Sequence, residues 1–166
     1  MTVAITAGGL YIDTFIRQLK QQAWTGTGGL DHTLATWKVA LFSDSLTPNF
    51  SAASPSFSTT NEVSGTGWAS GGILLSAAAA GGTSVVPTLA EGTTGSIRYD
   101  WTNDLSVAST TLSNAMAAIV YADPITAPYA DPMIVLMDFV TAASTSAGTF
   151  SIIPAATGIY EIDGTP

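Results

Sequence analysis

Residues 37–75 join two short apolar runs through more than twenty residues that carry almost no charge. WKVALF comes first, then a loop dense in Ser, Thr and Pro, then TTNEVSGTGWASGGILL. The second run is reached through glycines at 65, 67, 71 and 72. Short apolar runs set among Ser, Thr and Gly fit sheet and turn. They do not supply the long 3.6-residue periodicity of a helical domain.

The rest of the chain repeats that pattern. WKVALF (37–42) is apolar on nearly both faces, which predicts an inner strand. GILLS (72–76) is similar. SIRYDW (96–101) alternates, with Ile97, Tyr99 and Trp101 on one face and Ser96, Arg98 and Asp100 on the wet one. AMAAIVYA (115–122) and MIVLMDFV (133–140) read as central strands, and FSII (150–153) and GIYEI (158–162) close the chain. Pro87 confines SVVPTLA (84–90) to an edge or a strand end. The breaks are LTPNFSAASPSFSTTN (46–61), the small-residue corner AAAAGGT (77–83), and YADPITAPYADP (121–132) with its three prolines.

Only residues 10–24 have helical spacing. Ile12, Ile16, Leu19 and Ala23 fall on one face, and Phe15 widens that face beside Leu19. Asp13 and Arg17 form a favourable i,i+4 pair, and Gly26, Gly28 and Gly29 are expected to end the helix. The reading is therefore a mainly β chain, an antiparallel β-sandwich with an N-terminal α-helix. It spans 1–166 as a single domain, with an arm and helix in 1–30 and the sandwich in 31–166. A chain of this length can bury about 70% of its extended surface.

Charge narrows the function. Only 10% of residues are charged, against about 25% in an average soluble domain. So bare a surface suggests that part of it is covered in an assembly. Four basic against twelve acidic residues give a net charge of −8. That argues against nucleic acid and against an anionic membrane. No apolar stretch approaches the ~20 residues that span a bilayer, and MTVAITAGGLYIDTF is a poor signal peptide. The absence of cysteine removes disulfides, a thiolate nucleophile and Cys-ligated zinc.

Chemistry-bearing residues are sparse. His32, the only histidine, follows Asp31 in GGLDHT and reads as a solvated loop residue; no G-x-S-x-G elbow accompanies it. Asp100 and Asp104 in DWTND mimic part of a calcium loop but lack its glycine and terminal Glu, so an Asx-type turn is expected. Asp123 and Asp131 read as turn formers before proline. Asp138 lies inside an apolar run and, if buried, needs a partner such as Arg98 or Lys38. SGTGWASGG (64–72) has a dinucleotide-like outline, but no helix of sufficient length follows it. Trp24, Trp37, Trp68 and Trp101 are expected in the core; two of them exposed on one face would instead suit a glycan. The expectation is no catalytic residue, no cofactor and no metal ligand.

Set in order, these elements resemble a family of small structural proteins of tailed bacteriophages. The family pattern is a helix, a K-V-A-L-F strand, an S-x-x-x-T-P loop, an E-V-S-G-T-G-[YW]-x-x-G-G turn, an A-x-x-Y strand and a P-L-I-x-x-x-D-F strand. Here they fall at Lys38–Phe42, Ser43–Asn49, Glu62–Gly72, Ala118–Tyr121 and Pro132–Phe139, and with the helix they cover about residues 10–162. Trp68 replaces the more usual Tyr, and DPMIVLMDF replaces PLIAYIDF. The resemblance implies a virion component without catalysis. An acidic chain suits the outer head surface better than a wall facing packaged DNA. The expected partners are the major capsid protein and copies of the chain itself, as a homotrimer or other symmetric oligomer. Loops 46–61 and 121–132 are the expected contacts, with the 10–24 helix as an anchor. Two other readings follow from the residues: a tail-tip module binding a host glycan, and a cell-wall hydrolase using His32.

Overall fold

The computed structural model describes residues 5–26, 28–34, 36–76 and 85–164. In chain order the elements are β1 (Gly9–Leu10), α1 (Ile12–Leu19), β2 (Thr25–Gly26), β3 (Lys38–Phe42), β4 (Glu62–Val63), β5 (Ile73–Leu74), β6 (Pro87–Glu91), β7 (Ser96–Trp101), β8 (Leu105–Tyr121), β9 (Ile125–Ala127), β10 (Met133–Ile152) and β11 (Tyr160–Asp163). All described strand pairings are antiparallel. The chain is mainly β with one short N-terminal helix, as expected. The 77–83 corner lies outside the described residues.

The larger sheet runs β1-β10-β8-β3-β4, with β5 also on β3. β3 is internal and buried on both faces, as its unbroken apolar run requires. Its alternate residues enter two cores. Val39 and Leu41 join Ala118 and Val120 of β8 against Tyr99 and Trp101 of the three-stranded sheet β11-β7-β6. Ala40 and Phe42 join Ile119, Tyr121 and Leu136 on the opposite face. That second face is roofed by the 46–61 excursion, whose Leu46, Phe50 and Phe57 pack against it. Phe57 stacks on Tyr121 with ring centroids 4.0 Å apart. The loop expected to be a surface excursion is thus half cover for the core, while most of its Ser, Thr and Asn side chains face water.

β8 and β10 are much longer than the apolar runs that announced them. Ser/Thr/Ala-rich segments at 105–114 and 141–149 continue both strands through several register shifts, with positive φ at Ser109, Asn114, Val140 and Ala147. Hydroxyls hold the irregular half together. Thr110 Oγ1 lies 2.8 Å from Thr145 Oγ1, and Ser106 Oγ 2.8 Å from Ser151 Oγ. The Ser144 hydroxyl accepts the Asn114 N–H at 3.0 Å. Pro87 opens β6, and β6 is an edge strand, so the proline costs no ladder bond there.

The helix departs from expectation in its length. It ends at Leu19 instead of reaching Trp24. Gln21 takes a positive φ of 56° and its N–H bonds the Gln18 carbonyl, while the Gln22 N–H bonds the Arg17 carbonyl. These paired bonds form a Schellman cap built without glycine. The helix is also rolled, so that Thr14 is fully buried while Ile12, Ile16 and Leu19 are exposed. Thr14 sets this roll: its hydroxyl donates to the Met133 carbonyl at 2.8 Å and lies 2.9 Å from Tyr129 Oη. On the flank, Arg17 Nε meets Asp13 Oδ2 at 2.6 Å, as the spacing predicted, and the same carboxylate accepts the Ser54 N–H at 3.1 Å. Thr14→Val keeps the shape and removes both hydroxyl contacts. We expect about 1–3 kcal/mol of lost stability in urea unfolding; an unchanged midpoint would show that the hydroxyl does not hold the helix.

Candidate functional site

His32 does not lie in solvent. Its side chain is 4% exposed, a correction to the sequence reading. Trp37 packs on the ring at 4.9 Å and Phe15 at 5.3 Å between centroids. Its nitrogens are both engaged. Gln18 Nε2 donates to the Leu30 carbonyl at 3.0 Å, which leaves Gln18 Oε1 facing His32 Nε2 at 2.7 Å. Nε2 therefore carries the proton, and Nδ1 accepts from Tyr160 Oη at 2.8 Å. Burial pulls the imidazole pKa down to about 4, against a smaller opposing pull from Asp31.

This neutral imidazole ties α1 to the 30–34 loop and β11. It is not poised for acid–base work, because neither contact offers a nucleophile or an orienting carboxylate. The Asp31 carboxylate, the natural orienter, instead accepts the Thr33 hydroxyl at 2.7 Å and the Thr33 N–H at 2.9 Å. Those bonds hold its pKa below the usual carboxylate range.

The other candidates resolve into local structure. Asp100 accepts the Trp101 N–H at 2.8 Å, and Asp104 is exposed on the following turn. Among the described residues no group of three His, Cys, Asp or Glu could hold a metal ion. Asp138 is half-exposed and accepts the Val140 N–H at 2.8 Å. That backbone bond is its partner, and Lys38 Nζ is instead 3.1 Å from Asp123. Trp37, Trp68 and Trp101 are buried and Trp24 is half-buried. The exposed pair that a glycan face would use is not formed.

The Glu62–Gly72 motif is a structural clasp. Glu62 accepts the Ser70 hydroxyl at 2.7 Å and the N–H groups of Gly71 and Gly72 at 2.7 and 3.1 Å. Gly65 and Trp68 exchange backbone bonds of 2.8 and 3.1 Å across a tight turn, and this drives Trp68 fully into the core beside Phe150. Tyr121 Oη closes the clasp from β8 by donating to the Gly71 carbonyl at 2.5 Å. These N–H groups bind the chain's own carboxylate, where a nucleotide loop would bind phosphate.

What faces outward is apolar. Leu19, 84% exposed, stands beside Leu89, Ile97 and Ile162 along a shallow groove between α1 and the three-stranded sheet. Phe15 and Tyr160 line it further, with Gln18 and His32 also along it. The strand register lines up Leu89, Tyr99 and Tyr160 in one row and Glu91, Ile97 and Ile162 in the next. Ile12 and Ile16 are also exposed on the helix. Sequence periodicity found the helical part of this surface, the stripe of Ile12, Ile16 and Leu19. It placed Ile97 on the core face with Tyr99 and Trp101, whereas Ile97 is half-exposed. Leu89 and Ile162 carried no separate signal, and the partners of His32, Gln18 and Tyr160, lie too far apart in sequence to be paired by spacing.

Comparison with protein-family models, with curated proteins and with solved structures finds no match to this chain.

Proposed function

We propose that this chain is a structural component of a tailed-phage particle, a decoration or cement protein that binds the outside of the major capsid lattice and carries out no catalysis. The observation that carries this reading is an outward apolar face, with Leu19 of α1 exposed beside Leu89, Ile97 and Ile162, which fits a chain covered by other subunits in an assembly. Scattered exposed aliphatics are ordinary, but a contiguous set marks a contact surface. The poverty of charge supports the same reading, and the net −8 favours a surface away from DNA. The order of motifs from Lys38 to Phe139 adds the family resemblance.

The mechanism is thermodynamic. A subunit that binds only the expanded lattice stabilises that state by linkage, about 2.7 kcal/mol per site when its free concentration is a hundred times Kd. Many copies then add through multivalency. Loops 46–61 and 121–132 remain the proposed lattice contacts: the first presents Ser, Thr and Asn side chains, and the second an exposed Thr126 between Asp123 and Asp131.

The test mixes the purified chain with expanded, undecorated phage heads and follows co-sedimentation and the temperature of head rupture. Stoichiometric binding with a higher rupture temperature is the expected result. Heads that stay bare, or density for this chain only in the tail of a particle reconstruction, would defeat it.

A further inference from the structure

We infer that the groove between α1 and the three-stranded sheet is a contact between two copies of this chain related by a two-fold axis. The groove holds both halves of a self-complementary fit. Leu19 projects from one lip with 84% of its surface exposed, and next to it lies a hollow of about 200 Å³ walled by Leu89, Ile97 and Ile162. A two-fold rotation lets each Leu19 enter the hollow of the other copy, because in such an interface the same patch serves both partners.

Charge selects a second copy as the occupant. At net −8, two copies repel over most of their surfaces. Of the four cations, Arg17 and Lys38 are held in ion pairs with Asp13 and Asp123. Lys20 is exposed and directly follows Leu19 at the helix end. On the other lip stands exposed Glu91, directly across from Ile97 on the neighbouring strand and so on the same face. Lys20 next to Leu19 and Glu91 across from Ile97 thus put opposite charges beside the two sides of the groove, with Asp13 also within electrostatic reach of Lys20. The rotation that seats each Leu19 also brings Lys20 of each copy toward Glu91 of the other. Rim pairs of this kind fix register and partner more than they add affinity. The arrangement favours a pair over a three-fold ring, since knob and hollow share one groove. It does not depend on where the protein sits in a particle.

The test is the solution mass of the full chain by sedimentation velocity, over a concentration series at low salt. The wild type is expected to form a concentration-dependent two-chain species. Leu19→Glu should leave the circular dichroism unchanged and shift the mass to one chain. Lys20→Glu should weaken pairing by about tenfold or more, and Lys20→Glu combined with Glu91→Lys should restore it. A single-chain mass at every concentration, a three-chain mass, or a double variant no better than Lys20→Glu would overturn the inference. Pairing that survives while phage heads stay bare would remove the functional proposal and leave this one standing; heads decorated by a single-chain species would do the reverse.

Discussion

Gly72→Ala is expected to destabilise the protein far more than Gly71→Ala, although the two glycines are adjacent and share a positive φ. Gly71 sits at 82° and Gly72 at 71°. Either alanine pays about 1–2 kcal/mol for the left-handed conformation. Beyond that they differ. A Cβ at position 71 meets nothing within 4 Å, whereas one at position 72 would overlap the carbonyl of Val39 and crowd the Ala40 nitrogen. Those atoms belong to β3, the strand buried on both faces. They cannot yield without disturbing its pairing with β8, which runs in unbroken register from Lys38↔Tyr121 to Phe42↔Ala117. Overpacking of this kind adds about 1–3 kcal/mol or more. Urea unfolding of the two variants beside the wild type reads the difference. Equal losses would mean that the clasp does not press on β3 as described.

Acid should weaken the fold in a window set by one group. His32 has a folded pKa of about 4 against an ordinary value of 6.5. Between those values the unfolded chain binds a proton that the folded chain refuses. Stability therefore stays at its plateau above about pH 6.5, falls as pH drops toward 4, and loses nothing further from this group below that. A shift of this size corresponds to about 3 kcal/mol. Glu161 titrates lower: its pKa is held near 2 by the hydroxyls of Ser96 and Thr93, then by the Thr93 N–H. Its contribution is present above the ordinary carboxylate range and is lost below it. The histidine window thus stands clear of it on the high side. Because the chain has a single histidine, its imidazole proton resonance can be followed without assignment. A midpoint near 6.5 in the folded protein would contradict the buried, doubly hydrogen-bonded ring.

The same residue shows why site reading from sequence stopped where it did. Asp-His in a glycine-flanked loop looks like solvent-exposed chemistry, because local composition is all that spacing can report. Burial came from Trp37, Phe15 and Tyr160 closing around the ring, and the tautomer was settled by the carbonyl of Leu30 through Gln18. No pattern around His32 encodes Phe15 and Gln18 on the helix or Tyr160 on the last strand. In the Glu62–Gly72 segment Gly67, Gly71 and Gly72 take positive φ, as a glycine-rich turn requires. That Glu62 would bind their N–H groups depended on β3 and β4 bringing the two ends together.

Alternation and apolar runs, which report how many faces of a strand are wet, were enough to determine a mainly antiparallel β chain, a doubly buried Lys38–Phe42 strand, an edge role for the strand opened by Pro87, and the Asp13–Arg17 pair. Those properties depend on neighbours along the chain and on the pleat. The far halves of β8 and β10, the roof formed by Leu46, Phe50 and Phe57, and the roll of α1 were decided by tertiary structure. Ser/Thr/Ala segments have no strong preference until a partner strand supplies hydrogen bonds. A helix with one apolar stripe buries it only if no other anchor wins; here the Thr14 hydroxyl found Met133 and Tyr129, and the stripe was left facing outward.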